Sequence, residues 1–184
     1  MTDHRLLGLC GALRAGSTNL KLLREAARIY APTRFDEGDL RLPMYDGDLE
    51  ADGVPEAVTR LAEAIKGADA VVIATPEYNK SISGVLKNAL DWVSRVPGGV
   101  WRDKPVAIVS AAAGRAGGER AQYALRLCLN PFRPRVLAGP EVMVAASGEA
   151  FDAEGRLLDP LTVKGLTELM GALRGEVERG RIGG

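Results

Sequence analysis

The sequence has little of what metal sites and acid–base dyads require, since its 184 residues include one histidine and two cysteines. Cys10 and Cys128 lie far apart, and neither belongs to a CxxC or a Cys/His spacing. His4 precedes the first apolar run, which argues against a Ser-His-Asp triad. We therefore expect no metal site and no disulfide, and we interpret both cysteines as small buried side chains.

The chain also lacks an excess of either charge, because 24 Lys and Arg residues balance 24 Asp and Glu residues. Nucleic acids and anionic membrane surfaces require a basic field that this balance does not supply. No apolar run approaches the roughly 20 residues that span a bilayer. The apolar run at residues 6–13 is followed by no small-residue cleavage site. We therefore predict a cytoplasmic protein that binds neither nucleic acid nor membrane.

Short apolar runs alternate with segments of helical periodicity along the chain. The runs that predict strands are 6–10, 34–40, 70–74, 106–109 and 136–144, with a break in the last at Gly139 and Pro140. Helical spacing covers 20–30, 55–65, 85–93, 123–129 and 166–177. This alternation predicts βαβ units. We expect one α/β domain over residues 1–184, a flavodoxin-like three-layer sandwich with a five-stranded parallel sheet and helices on both faces.

In such a sheet, ligands bind beyond the carboxyl ends of the strands. The loop after the first strand, GALRAGSTN at 11–19, leads directly into a helix. Free N–H groups and the positive end of the helix dipole favour an anion there, and Arg14 adds a planar donor suited to phosphate. The loop contains neither a Walker motif nor GxGxxG. The alternative interpretation is a capping cluster beside a solvated arginine.

Two further loops follow the third and fourth predicted strands. The segment TPEYNKSISG at 75–84 offers an aromatic ring, an amide and hydroxyls that could line the edge of a planar ligand. The segment SAAAGRAGG at 110–118 consists mostly of small residues, which allow a flat molecule to approach the backbone closely. Each loop alone is also compatible with an ordinary connection between a strand and a helix.

Together these segments resemble the NADPH-dependent FMN reductase family, which includes bacterial quinone, chromate and azo-dye reductases. The motifs that carry the likeness are GALRAGSTN at 11–19, LPMYDGD at 42–48, TPEYN at 75–79, LKNALDW at 86–92, KPVAI at 104–108 and GGERAQ at 117–122. The likeness extends from about residue 5 to residue 130. Several motifs in the same order are more specific than any one of them.

The resemblance implies a noncovalently bound FMN that NADPH or NADH reduces, and a small-molecule electron acceptor such as a quinone. It also implies a homodimer or a homotetramer. The residues that it assigns to FMN are Leu13, Arg14, Ser17, Thr18 and Asn19 in the first loop, Pro76, Glu77, Tyr78, Asn79 and Ser81 in the second, and Ser110, Ala111 and Gly114 in the third. No side chain is assigned as an obligatory proton donor, since the flavin itself supplies the redox chemistry.

Three departures from the family pattern affect these assignments. Ala12 stands where members often have serine, so one phosphate hydroxyl is missing. Ser83 replaces a frequent proline, which we expect to loosen the start of the following helix. Ala112 and Ala113 remove hydroxyls from the third loop and leave its ring contacts mainly to the backbone.

Three other functions remain open at this point. A one-electron carrier that resembles flavodoxin would keep the flavin, although such carriers are usually strongly acidic and this chain is neutral. A flavin-binding sensor would show negligible turnover. A reductase that supplies free reduced FMN to another enzyme would treat FMN as a substrate.

The two tryptophans have different predicted places. Trp92 continues a helical stripe and is interpreted as a core or interface residue. Trp101 falls in a predicted loop, where we expect it to face substrate or a partner subunit. Residues 151–156 are predicted to form a turn, and they lack the carboxylate pattern of a calcium loop.

Overall fold

The computed structural model describes residues 4–182, which form one parallel β-sheet with helices on both faces. The strands are Arg5–Cys10 (β1), Arg34–Gly38 (β2), Ala70–Thr75 (β3), Pro105–Ala111 (β4), Arg135–Val136 (β5) and Val142–Val144 (β6). The α-helices are Thr18–Tyr30 (α1), Gly47–Ala51 (α2), Glu56–Gly67 (α3), Gly84–Ser94 (α4), Glu119–Leu129 (α5) and Pro160–Ile182 (α6). A short 3₁₀ helix covers Asn130–Phe132.

The strand order is β2-β1-β3-β4-β5, and β6 also pairs with β4. Because β5 pairs with the start of β4 and β6 with its end, the two short strands share one position at the sheet edge. They separate around Gly139 and Pro140, where the sequence predicts an interruption. All pairings are parallel. The predicted flavodoxin-like fold is confirmed.

Alternate residues of each central strand face opposite layers, as the two-residue repeat of a strand requires. Leu6 and Val72 pack with α1 and α6 on one face of the sheet. Leu7 and Ile73 pack with α3, α4 and α5 on the other. Every residue of β3 and β4 is buried. The sheet is therefore a rigid central layer, and its carboxyl edge is where the loops lie.

Some elements differ from the prediction. The helix α2 and the 3₁₀ turn are additional, and α5 begins at Glu119 rather than near Tyr123. The first turn of α5 is polar, so the apolar pattern begins only after it. The helix α6 is also longer than predicted, and it begins at Pro160, which suits a first helical position. The turn predicted at 151–156 is present, closed by a bridge between Phe151 and Leu157.

The environment of Trp101 corrects a prediction. Trp101 is 3% exposed and packs in the core beneath α3, α4 and α5, so it does not face substrate from an open loop. Short turns around it fold the chain back onto this face. Trp92 is also buried, and its Nε1 donates to the Pro43 carbonyl at 2.8 Å, which confirms the core interpretation.

The cysteines, predicted to be buried, are free thiols of intermediate exposure.

None of the helices within residues 4–182 combines the length and apolar character needed to cross a bilayer. In the same part of the chain, no group of three or more His, Cys, Asp or Glu side chains is arranged to hold a metal ion.

Candidate functional site

The loops after β1, β3 and β4 meet at the carboxyl edge of the sheet, because these strands are adjacent and parallel. We call them the first loop (residues 11–17), the second loop (76–83) and the third loop (112–118). The first two are in direct contact at Gly11. A Cβ atom on Gly11 would lie 2.9 Å from Pro76 Cδ and 3.0 Å from Ser83 Oγ. Only glycine therefore allows the two loops to approach this closely.

The first loop presents a group of unsatisfied donors. The helix α1 begins at Thr18, and the buried Ser17 hydroxyl caps it by accepting from the Asn19 N–H at 3.2 Å. Within the described chain, the N–H groups of residues 12–16 and of Thr18 donate to no protein atom. The Arg14 side chain is exposed, and it forms no ion pair with any described carboxylate. Donors gathered at a helix N-terminus favour an anion, phosphate above all.

A cavity of about 250 Å³ lies on the β2 side of the first loop, between residues 12–15 and 37–41. Arg41 crosses its rim and donates to the Leu13 carbonyl at 2.7 Å. Cys10 lines the cavity, and its Sγ lies 3.4 Å from the Ala12 carbonyl, to which it donates. Burial raises the pKa of the Cys10 thiol above its usual range. The thiol is therefore protonated at neutral pH and is a poor nucleophile.

The second loop contains a two-residue hairpin. Tyr78 and Ser81 exchange main-chain hydrogen bonds of 3.0 and 3.1 Å. Asn79 and Lys80, between them, have φ angles of 50° and 66°, as a type I′ turn requires. Such angles are strained for lysine. The turn places Tyr78 at the surface with 53% of its area exposed, so its ring is open to a ligand.

Two polar side chains of the second loop form hydrogen bonds within the protein. Glu77 accepts a hydrogen bond from the Arg120 N–H at 3.1 Å and forms an ion pair with the Arg120 side chain at 3.7 Å. It therefore caps α5 and joins the second loop to that helix. Ser83 accepts from the Leu86 N–H at 3.4 Å and caps α4. Contrary to the expected loosening, the serine gives the start of α4 a stabilising contact.

The far, C-terminal end of the third loop is attached to β4 by a side-chain hydrogen bond. Ser110 is fully buried at the end of β4, and its hydroxyl donates to the Gly117 carbonyl at 2.7 Å. Gly117 and Gly118 both have left-handed φ angles, of 58° and 97°. A Cβ atom on Gly117 would lie 2.6 Å from the carbonyl carbon of Met143. One on Gly118 would lie 2.8 Å from Ser110 Cβ, so this turn requires both glycines.

The near end of the third loop is held by Asn19 from α1. The Asn19 amide donates to the Ala111 carbonyl at 2.8 Å and accepts from the Ala111 N–H at 2.9 Å. The Ala112 N–H donates to Val144, and the Ala112 carbonyl accepts from the Ser147 N–H. Neither alanine therefore has a free main-chain donor. The N–H groups of residues 113–116 donate to no described protein atom, so the third loop's open donors lie there.

Sequence reasoning missed a fourth segment at this edge. Ser147 follows β6 and is 6% exposed, and its hydroxyl accepts from Thr18 Oγ1 at 3.2 Å. It thereby links the start of α1 to the loop after the last strand. A signal was present, because β6 ends at the same edge as β3 and β4, yet one serine in a polar segment carries no pattern of its own.

The predicted site residues thus fall into two groups. Arg14, Leu13, Tyr78, Asn79, Ser81 and Gly114 are exposed around the edge of the sheet. Ser17, Thr18, Asn19, Glu77 and Ser110 direct their polar side-chain atoms into hydrogen bonds within the protein, the Ala111 main chain is bound by Asn19, and Pro76 is buried against Gly11. All three loops come together as the sequence predicts, but only the first group offers side chains to a ligand.

Comparison with known proteins gives consistent findings. The family model of the NADPH-dependent FMN reductases matches residues 4–149, which include all of these loops. An NAD(P)H-dependent FMN reductase of Pseudomonas aeruginosa is 48% identical over 159 residues, 85% of this chain and 86% of that protein. A quinone reductase of Escherichia coli K12 is 38% identical over 184 residues and 97% of both chains. The solved structure of FerB, a flavoenzyme NAD(P)H:(acceptor) oxidoreductase of Paracoccus denitrificans, is 34% identical with a TM-score of 0.85, over 96% of this chain and 98% of that one.

Proposed function

The chain belongs to the NADPH-dependent FMN reductase family, and from this premise we propose that it is an NAD(P)H-dependent oxidoreductase that binds FMN noncovalently. Its electrons would pass to a quinone or a similar small acceptor. The observation that carries the proposal is the pair of open donor groups at one sheet edge, at residues 12–16 with Thr18 and at residues 113–116. They suit the phosphate and the ring of one flavin nucleotide.

The first loop fits the phosphate. Its open N–H groups lie at the positive end of the α1 dipole, and the Arg14 guanidinium adds a full positive charge without a described partner. Ala12 supplies no hydroxyl here, but the backbone donors do not depend on one. We propose that Arg14, together with the N–H groups of the first loop and Thr18, holds the phosphate.

The second and third loops fit the planar ring. Tyr78 offers an exposed aromatic face, and the N–H groups of residues 113–116 have no acceptor among the described residues, so they are available to a ligand. When bound, FMN would supply the hydride and electron transfer between NAD(P)H and the acceptor. The chain's part is to orient the ring and to place backbone donors where negative charge develops, which costs no reorganisation during the reaction.

Acid–base groups have little part in this site. Glu77, the carboxylate within the second loop, is bound to Arg120. His4 precedes β1 and therefore lies at the opposite edge of the sheet. This fits a reaction in which the cofactor carries the electrons and no side chain must donate a proton.

We further propose that the protein acts in the cytoplasm as a homodimer or a homotetramer. Trp92 itself is buried, but the Tyr45 ring packs edge-on to it with ring centres 5.1 Å apart. Met44, Tyr45 and Leu49, on the segment 44–49, are exposed. Exposed apolar groups of this kind often mark an interface. Light scattering during gel filtration measures the state directly, and a monomer at micromolar concentration would contradict the proposal.

The decisive experiment is a visible spectrum of the purified protein after incubation with FMN and desalting, before and after anaerobic addition of NADPH. We expect retained flavin bands that bleach with NADPH and return when a quinone is added. Retained bands that do not bleach would favour an electron carrier or a sensor. Loss of the flavin on desalting, with saturable consumption of added FMN, would favour a reductase of free flavin.

A further inference from the structure

The buried hydrogen bonds behind the third loop end in a side chain that does not face the site. Gln122 lies in the first turns of α5 and is fully buried. Its Nε2 donates both to Ser110 Oγ at 2.9 Å and to the Val142 carbonyl at 2.8 Å. Ser110 Oγ in turn donates to the Gly117 carbonyl at 2.7 Å. We propose that Gln122 is a positioning residue for the flavin ring, a role that rests on the function proposed above.

The direction of each hydrogen bond in this chain is fixed. A backbone carbonyl only accepts, so the atom of Gln122 that meets the Val142 carbonyl must be the amide nitrogen. The same nitrogen then donates its second hydrogen to Ser110 Oγ. The hydroxyl has one hydrogen of its own, and that hydrogen must go to the Gly117 carbonyl. By donating to Ser110 Oγ, Gln122 therefore leaves the hydroxyl hydrogen for the Gly117 carbonyl.

The Gln122 side chain is only partly satisfied by the surrounding protein. Within the described chain, Gln122 Oε1 is buried and accepts no hydrogen bond. A buried acceptor without a partner is destabilising, but the same amide satisfies the Val142 carbonyl, which would lose this donor if an apolar side chain of similar size replaced it. Leu125, which is also fully buried in α5, shows that the helix packs apolar side chains in this layer. The amide has a purpose that an apolar residue could not serve.

That purpose is to fix one end of the segment that carries the open donors. Asn19 holds Ala111 at the near end. The Ser110 hydroxyl, oriented by Gln122, holds Gly117 at the far end. The free N–H groups of residues 113–116 lie between these two attachments. Without Gln122, the hydroxyl could turn away, and the donors would lose their fixed placement.

The expected consequence depends on the redox state of FMN. Fixed N–H donors stabilise a ring that gains negative charge more than a neutral ring. Loss of their placement should therefore weaken the binding of reduced FMN more than that of oxidised FMN. The midpoint potential of bound FMN must then become more negative, since it reports the ratio of the two affinities.

The test compares Gln122→Met with the unaltered protein and with Leu125→Ala, which loosens the packing of the same helix without removing these hydrogen bonds. We would measure the dissociation constant of oxidised FMN by fluorescence titration and the midpoint potential by equilibration with a reference dye. For Gln122→Met we expect reduced FMN to bind about tenfold more weakly relative to oxidised FMN, the size of one charge-assisted hydrogen bond. Ser110→Ala should produce a similar shift and add little to Gln122→Met, because both act through one chain of hydrogen bonds.

Other outcomes would overturn the role of Gln122. An unchanged midpoint potential in Gln122→Met would show that the amide does not position the donors. The same shift in Leu125→Ala would show that any loosening of α5 has this effect. If the unaltered protein binds no FMN, the proposed function fails as well, whereas FMN binding with an unchanged potential in Gln122→Met overturns this inference alone.

Discussion

The first and third loops lie at the same edge of one sheet, yet they differ in how their main chains are hydrogen-bonded to the rest of the protein. In the first loop, the N–H groups of residues 12–16 donate to no acceptor within residues 4–182. The third loop is attached at both ends, through Ala111 to Asn19 and through Gly117 to Ser110. In the third loop the N–H groups of residues 113–116 donate to no described protein atom.

Under the proposed function, the difference matches what each loop would bind. A phosphate carries full charge and accepts hydrogen bonds from many directions, so the helix dipole, Arg14 and a set of open donors suffice. A flavin ring changes charge during the reaction, and donors improve catalysis only if they are already in place. We therefore expect changes in the first loop to affect FMN affinity, and changes around the third loop to affect stability as well.

The largest effect is expected from Gly117→Ala. The new Cβ would lie 2.6 Å from the main chain at Met143, and the φ angle of 58° is strained for alanine. Overpacking and strain together should lower the free energy of unfolding by roughly 3–4 kcal/mol. The control is Gly114→Ala, where a Cβ would meet nothing within 4 Å. Urea denaturation without FMN gives the free energy of unfolding of both variants, and equal values would show that the turn does not require glycine at position 117.

Asn19→Ala should have the next largest effect. It removes both partners of Ala111, whose N–H and carbonyl are buried. Leaving two such groups unsatisfied should cost about 2–3 kcal/mol in the free energy of unfolding. Asn130→Ala, at an exposed position, serves as the control and should change stability by less than about 0.5 kcal/mol. A stable Asn19→Ala protein with weak FMN binding would instead make Asn19 a direct phosphate ligand.

Arg14→Ala should separate affinity from stability. Because Arg14 is exposed and has no described ion-pair partner, unfolding without FMN should be unchanged. Loss of a charged hydrogen bond to phosphate should weaken FMN binding by about 2 kcal/mol, roughly thirtyfold. Arg102→Ala, an exposed arginine at the opposite edge of the sheet, should leave the affinity unaltered. Equal affinities for both variants would remove Arg14 from the phosphate site.

The smallest effect concerns Cys10, at the base of the first loop. Burial raises the pKa of its thiol above the usual value of 9.0. The unfolded chain therefore loses this proton at a lower pH than the folded protein, so stability is full below pH 9 and falls as the pH rises beyond it. Urea denaturation under reducing conditions at pH 8 and pH 10 should show this loss, and Cys10→Ala should reduce it. If Cys10→Ala lost as much stability between pH 8 and pH 10 as the unaltered protein, other groups would be responsible for the pH dependence.

Much of the fold could be predicted because its signals are local. The buried run AVVIA became the central part of β3, and the break at Gly139 and Pro140 separates β5 from β6. The three loops could be located for the same reason, since each follows a recognisable strand. The polar start of α5 and the buried place of Trp101 were missed, because neither has a periodic pattern in its neighbourhood.

The sequence could not show which polar residues are available to a ligand and which form hydrogen bonds within the protein. Ser17, Asn19 and Ser110 belong to the predicted motifs, but a motif does not show whether a hydroxyl or an amide faces a ligand or the scaffold. Asn19 meets Ala111 across 92 positions of the chain, and Gln122 meets Val142 across 20. Such pairings depend on how helices pack on the sheet.

By itself the sequence determined the strands, the helices and the three loops that meet at the carboxyl edge. Hydrophobic periodicity distinguishes strands from helices locally, and each of these loops directly follows a strand. Only the tertiary structure decided which donors remain open. A hydrogen-bonding group is available to a ligand when no other part of the folded chain satisfies it, and that depends on distances between segments far apart in the sequence. Residues 12–16 and 113–116 kept their donors for that reason, while those of Ala111 and Ala112 were taken by α1 and β6.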